Sequence, residues 1–292
     1  MSLGADTLCL QCYLKRNVEA ARALGDEATA TRFAKELMGI LSQLPSSKAT
    51  VSAAPMVAEM FQRYYGLEAD RYKEEKAQSN AFAKTWFDQA LAMAQQAADP
   101  VLAGLQMAIL GNYLDFSALQ GKVSFDKLEQ MMQNALQTQL DEAVLAQLKN
   151  DLSKAKKLLY ITDNAGEIGF DRVCARQLQT AYPDLEITFC VRGAPAMNDA
   201  TREDAAAVGI PFPVIDNGNR VAGTDLTQLG AEAQAALDSA DVIIAKGMAN
   251  TETMYGCDYN VYYAFLIKCP RFITVFGKPK MTPMLVRESA KN

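Results

Sequence analysis

Apolar residues recur at three- and four-residue spacing through the first half of the chain. Leu10, Tyr13, Leu14, Val18, Ala21 and Leu24 form one series, which Gly25-Asp26 ends. Phe82, Trp86, Ala90, Leu91 and Met93 form a second, and Leu102, Leu105, Ala108, Ile109 and Leu110 a third. Ser124 stands at an N-cap position before Phe125, Leu128, Met131, Met132 and Leu136. Asp141 does the same before Val144, Leu145, Leu148 and Leu152. Each series predicts an amphipathic helix, and no convincing strand alternation interrupts them. Residues 1–155 are therefore expected to form an all-helical N-terminal domain.

From Lys156 onward the pattern changes. Short apolar runs at 157–162, 186–191, 212–215, 241–245 and 271–276 alternate with helical stretches. Runs of about five residues separated by helices are the mark of parallel strands covered on both faces. Residues 156–292 are predicted to form a three-layer α/β/α domain with a mostly parallel sheet.

Parallel strands joined by right-handed crossovers present their C-terminal ends at one edge, where ligands bind. Three of the segments that follow predicted strands combine glycine with charge or amide. The first is Asp163-Asn164-Ala165-Gly166-Glu167. The second runs from Arg192-Gly193 to Asn198-Asp199-Ala200-Thr201, and the third is Lys246-Gly247-Met248-Ala249-Asn250-Thr251-Glu252. Asp163, Asn164 and Asp199 would give a divalent cation two carboxylates and an amide carbonyl, an oxygen set suited to Mg²⁺ or Mn²⁺. Lys246 and Arg192 would offer positive charge to phosphate oxygens. Gly166 and Gly247 would allow close approach of backbone N–H groups. Such a set suits phosphoryl hydrolysis.

Each motif also has a purely structural reading. Asp-Asn-Ala-Gly can be an ordinary turn and helix cap. Thr201 and Asp204 fit a capping box, beside which Asp199 could be loop punctuation. Lys246 could be a solvated residue at a strand end. Cys9-x-x-Cys12 has zinc or redox spacing, but no second pair completes a site, so helix packing is the preferred reading. Asn112 and Asp115 lie one helical turn apart at the end of an apolar segment, either facing a cleft or closing a helix.

Composition narrows the chemistry. The 292 residues contain no histidine. That excludes imidazole-activated nucleophiles, an imidazole general base and histidine-rich zinc sites. The net charge of -5 argues against nucleic acid or an anionic membrane as the main partner. No run is long enough to span a bilayer and no secretory leader pattern is present, so a cytoplasmic location is expected. The six cysteines are irregularly spaced and read as small buried hydrophobes. A complete dinucleotide glycine fingerprint and a Walker-type loop are both absent. The adjacency of Asp163 and Asn164 also rules out a paired Asp-x-Asp phosphoaspartate motif.

At these residues the chain resembles a known family. Asp163-Asn164-Ala165-Gly166-Glu167, Arg192-Gly193-x-Pro195-x-x-Asn198-Asp199-Ala200-Thr201 and Lys246-Gly247-x-x-Asn250-x-Glu252 are similar, in this order, to motifs of the metal-dependent damage-control phosphatases. Cys9-x-x-Cys12, the segment 70–76 and Gly111-Asn112-x-x-Asp115 resemble the stand-alone microbial branch. Arg71 departs from the proline that relatives often carry. The resemblance implies a helical domain joined to a Rossmann-like α/β/α domain, with a divalent metal (Mn²⁺, Co²⁺, Ni²⁺ or Mg²⁺) at the cleft. It places the metal on Asp163, Asn164 and Asp199 and the substrate phosphate on Lys246.

The resulting expectation is a metal-dependent phosphatase that hydrolyses small phosphorylated metabolites, such as sugar phosphates, by metal-activated water. Asn198 and Arg192 would assist Lys246 at the phosphate, and Glu167 would serve as a supporting group or base. A nucleotide-dependent transferase and a non-catalytic phosphometabolite-binding module are the alternatives. Substrate, oligomeric state and preferred metal are not legible in the sequence.

Overall fold

Seven α-helices precede the first strand among the residues that the structure, a computed structural model, describes: 3–68, 70–115 and 124–287. They are α1 (Thr7–Leu24), α2 (Glu27–Gln43), α3 (Ala54–Tyr65), α4 (Lys73–Gln96), α5 (Pro100–Gly111), α6 (Phe125–Gln133) and α7 (Glu142–Leu152). Asp6, Asp26, Asp99, Ser124 and Asp141 each accept a first-turn backbone N–H with the side chain. A cap of this kind stabilises its helix by about 0.5–2 kcal/mol.

The rest of the chain alternates strand and helix. Its elements are β1 (Lys157–Ile161), α8 (Glu167–Ala181), β2 (Glu186–Val191), α9 (Arg202–Ala207), β3 (Val214–Asp216) and α10 (Ala231–Ser239). They continue with β4 (Val242–Lys246), α11 (Gly247–Met254), β5 (Val261–Leu266), α12 (Pro270–Phe276) and β6 (Pro283–Arg287). The six strands pair in the order β3-β2-β1-β4-β5-β6, parallel except for β6, which is antiparallel to β5. The register pairs Ile161 of β1 with Cys190 of β2 and with Ala245 of β4. That alignment brings the ends of these three strands level.

Successive residues of a strand point to opposite faces, and here both faces are dry. Leu158 and Tyr160 join one core cluster with Trp86 of α4, Ile109 of α5 and Phe170 of α8. Leu159 and Ile161 join another with Leu237 of α10, Met254 of α11 and Phe272 of α12. Helices α4 and α5 thus share the layer over the first face with α8. The first three helices enclose a smaller cluster around Phe33, Leu37 and Phe61.

One predicted strand is corrected. The run 271–276 is helix α12, with Pro270 at its first turn and Gly277 closing it in the left-handed conformation. Proline fixes φ at a helical value and its missing N–H costs nothing in a first turn. The strand missed by pattern reading is β5, Val-Tyr-Tyr-Ala-Phe-Leu, all of it buried. No helix among the described residues is long and apolar enough to cross a membrane.

Candidate active site

The sheet order reverses between β1 and β4, and in an open parallel sheet that switch point is where crevices form. Asp163 follows β1 and Gly247 follows β4 on either side of it. Gly247 has φ +77°, and a Cβ there would lie 1.9 Å from Asp163 Oδ2. The carboxylate is therefore seated directly against backbone that only glycine can provide.

The loop after β2 folds across this point. Ala200 N–H donates to Asp163 O at 2.7 Å, Ala165 N–H donates to Asn198 O at 2.9 Å, and Asn164 forms an isolated bridge with Asp199. These bonds put Asp163, Asn164, Asn198 and Asp199 in one place. Asn164 Nδ2 donates to Asp163 Oδ2 at 2.8 Å and to Glu167 Oε2 at 2.7 Å. Asn198 Nδ2 donates to Asn164 Oδ1 at 2.7 Å and to Leu114 O at 3.3 Å. The Asn198 Oδ1 atom is buried without a hydrogen-bond partner. The capping box of Thr201 and Asp204 is also present, just after Asp199.

The cations sit differently from one another. Lys246 is fully buried behind the acids. Its Nζ donates to Ala108 O at 2.9 Å, Glu167 Oε1 at 2.7 Å and Asp171 Oδ1 at 2.6 Å, which uses all three N–H groups. It offers no donor to an incoming phosphate in this arrangement. Arg192, also buried, donates through Nε to Asp199 Oδ2 at 2.6 Å and through Nη2 to Asn250 Oδ1 at 3.2 Å, with Asp163 Oδ1 4.0 Å away. It bridges the acid pair from within.

Three contributors were not assigned from the sequence. Asn112 Nδ2 donates to Asp163 Oδ2 at 3.0 Å and Glu167 Oε2 at 2.8 Å, and its Oδ1 accepts from Leu266 N–H. Lys268 Nζ donates to Asn112 O and to Asp115 Oδ2, both at 2.7 Å. Asp115 borders the same cavity as Asp163, Asn164, Asn198 and Asp199. The spacing of Asn112 and Asp115 was visible in the sequence, but their facing was not. Lys268 carried no signal, because the strand that delivers it was not recognised.

Burial, then the neighbouring Asp199 and Glu167 charges, push the Asp163 carboxyl well above the ordinary carboxylate range. Burial raises Asp199 as well, against the opposing pull of Arg192. Asp171 is pushed up to about 7 by burial, with Lys246 holding it down in part. Burial works against the Lys246 ammonium, but Asp171 and Glu167 outweigh it and hold its pKa above the usual lysine value. The buried cluster contains five carboxylates (Asp115, Asp163, Glu167, Asp171, Asp199) and three cations (Arg192, Lys246, Lys268). Fully ionised, five negative charges against three positive leave an excess of two, the charge of one divalent cation.

Among the described residues no group of three or more carboxylates or thiols converges on a metal position. A cation here would depend on amide oxygen together with Asp163 and Asp199, and the unpartnered Asn198 Oδ1 or a rotated Asn164 amide supplies one. The donor set thus fits a divalent ion that prefers oxygen. The cavity above it measures about 400 Å³ and extends to Cys9, Cys12, Glu252 and Arg271. Cys9 lies 3.2 Å from Arg271 Nη1, and burial together with Glu252 pushes its thiol up to about 12. A thiol so disfavoured as thiolate is a weak nucleophile, and both cysteines line the cavity wall.

The family model of the damage-control phosphatase ARMT1-like domain matches residues 5–282. A damage-control phosphatase of Archaeoglobus fulgidus is 32% identical over 254 residues, 85% of this chain and 86% of that protein. An uncharacterized protein of Methanocaldococcus jannaschii is 32% identical over 274 residues, 89% of this chain and 88% of that one. The crystal structure of a DUF89 family protein from Pyrococcus horikoshii superposes with a TM-score of 0.82 at 24% identity, covering 98% of this chain and 99% of that chain.

Proposed function

The chain belongs to the damage-control phosphatase ARMT1-like family, whose members point to phosphatase-type function, and on that premise we propose that it is a metal-dependent phosphatase for small phosphorylated metabolites such as sugar phosphates. The observation that carries this reading is the buried acid pair Asp163 and Asp199 at the switch point, in a cluster whose carboxylates, once all ionised, would outnumber its cations by two.

Asp163, Asp199 and an amide oxygen of Asn164 or Asn198 would hold the cation. A divalent ion bound there would supply Lewis-acid polarisation of the phosphoryl oxygens and an acidified water. Arg192 fixes the Asp199 carboxylate by donating through Nε to Oδ2. Asn112 orients Asp163 by donating to its Oδ2, and Glu167 orients Asn164 by accepting both its side-chain Nδ2–H and its backbone N–H. Lys246, bound to Glu167 and Asp171, balances that inner charge from behind. Lys268, which lies beside Asp115 and close enough to Asp163 to oppose its raised pKa, would supply the positive charge for the phosphate from beneath that pair. Ammonium near developing phosphoryl charge is worth most in a site that excludes water.

The test is hydrolysis of a panel of phosphorylated metabolites by chelator-treated protein, with Mg²⁺, Mn²⁺, Co²⁺ or Ni²⁺ restored singly. Metal-stimulated release of phosphate is expected, lost in Asp163→Ala and Asp199→Ala. Full metal-stimulated activity in Asp163→Ala would sink the assignment.

A further inference from the structure

Helix α4 reaches both acid-bearing loops through one side chain. Asn80 is 6% exposed. Its Oδ1 accepts Gly166 N–H at 2.7 Å, in the loop that carries Asp163 and Asn164. Its Nδ2 donates to Asp204 Oδ1 at 2.8 Å. The other oxygen of Asp204 accepts Thr201 N–H at 2.9 Å and Thr201 Oγ1 at 2.8 Å, two residues past Asp199. Lys76, one turn earlier on α4, pairs with Asp204 at 2.8 Å and with Asp70 at 3.1 Å. The contact is close: Gly166 has φ +75°, and a Cβ on it would fall 2.5 Å from Ser79 Cβ.

We propose that Asn80 is a positioning residue that sets the separation of the Asp163-Asn164 loop and the Asn198-Asp199 loop, and so the cation affinity of the site. This rests on the proposed metal-dependent reading. The two loops also bond directly through Ala165 N–H and Ala200 N–H, so they stay associated without Asn80. What Asn80 adds is a rigid reference outside both loops, since α4 is 24 residues long and packed into the main core through Trp86, Ala90 and Ala94. An amide is suited to this because it accepts and donates at once. An aspartate at the same place would lose the donor and set a second carboxylate against Asp204.

The experiment is calorimetric titration of Mn²⁺ into the chelator-treated full chain, for wild type, Asp163→Ala, Asn80→Ala, Asn80→Asp and Asn17→Ala. Asn17 is a buried amide of another helix, bonded to Tyr13 O of its own turn, and controls for generic loss of a buried asparagine. Outer partners of metal ligands typically contribute 10–100-fold in affinity. Asn80→Ala and Asn80→Asp are expected to weaken Mn²⁺ binding at least tenfold, with Asn17→Ala like wild type. Saturating Mn²⁺ should return the KM for a phosphate ester to the wild-type value. Wild-type Mn²⁺ affinity in Asn80→Ala overturns the positioning role alone. If Asn80→Ala does not fold, Asn80→Ser decides by the same criterion. Failure of wild type to bind Mn²⁺, or retained binding in Asp163→Ala, overturns the metal-dependent reading and this inference with it.

Discussion

Gly247→Ala separates the cost of a backbone conformation from the cost of a contact. Gly247 has φ +77° and its Cβ would stand 1.9 Å from Asp163 Oδ2 and 2.2 Å from Cγ. A residue other than glycine in the left-handed region costs about 1–2 kcal/mol. Forcing a methyl group into a packed position costs about 1–3 kcal/mol more. Gly66→Ala provides the reference, because Gly66 has φ +68° but nothing within 4 Å of its Cβ position. It should lose only the first amount, and Gly247→Ala should lose roughly 2–5 kcal/mol, by the same two costs. The assay is urea denaturation of both metal-free variants alongside wild type, followed by Mn²⁺ titration. Asp163 must rotate or retreat to admit the methyl, so Gly247→Ala should also bind Mn²⁺ at least tenfold more weakly, while Gly66→Ala binds as wild type. Equal stability of the two variants together with wild-type Mn²⁺ affinity in Gly247→Ala would refute the claim that Gly247 seats Asp163.

Lys246→Met removes the partner of two buried carboxylates, Glu167 and Asp171, and should cost about 3–5 kcal/mol in denaturation. Lys268→Met should instead weaken competitive inhibition by inorganic phosphate, and unchanged inhibition would remove Lys268 from the phosphate site. Chelator treatment should lower the unfolding free energy measured at a free metal concentration of one hundred times Kd by about 2.7 kcal/mol, and identical curves with and without metal would contradict a native-state ion. Burial pushes Glu252 up to about 7 from an ordinary 4.5, against the pull of Arg271. The folded state therefore holds this proton more tightly than the unfolded one. Stability attributable to Glu252 is full below pH 4.5 and declines as pH rises toward 7, by about 1.4 kcal/mol for each pH step of one within that window. Glu252→Gln should flatten the decline in denaturation measured across pH, and an unaltered profile would show that burial does not raise this carboxyl.

Local chemistry was legible in the sequence where it acts over short distances. The caps at Ser124 and Asp141, the end of α1 at Gly25 and the box of Thr201 and Asp204 need only neighbours within a turn or so. Three predicted runs match strands β1, β2 and β4 because burial on both faces demands continuous apolar residues, and the run 212–215 overlaps the short edge strand β3 at Val214 and Ile215. The fifth failed because Arg-Phe-Ile-Thr-Val-Phe suits strand or helix by composition, and Pro270 and Gly277 decide for helix. The strand Val-Tyr-Tyr-Ala-Phe-Leu was passed over, and with it the lysine two residues beyond its end.

The sequence by itself determined an α/β chain with no histidine, and hence a site of carboxylates, amides and cations beyond the ends of parallel strands. It also singled out Asp163, Asn164, Asn198 and Asp199, because strand ends in such a sheet share an edge. Tertiary structure alone decided which cation faces which acid. Lys246 and Arg192 look equally suited to phosphate in one dimension, yet in three Lys246 spends every donor on Ala108, Glu167 and Asp171, while Arg192 pairs with Asp199 and Asn250 and keeps Nη1 unpartnered. Lys268 and Asn112, 156 residues apart, meet only because β5 pairs with β4 and α5 crosses the sheet above it. Charge pairing depends on distance through space, and hydrophobic periodicity fixes the elements without fixing those distances.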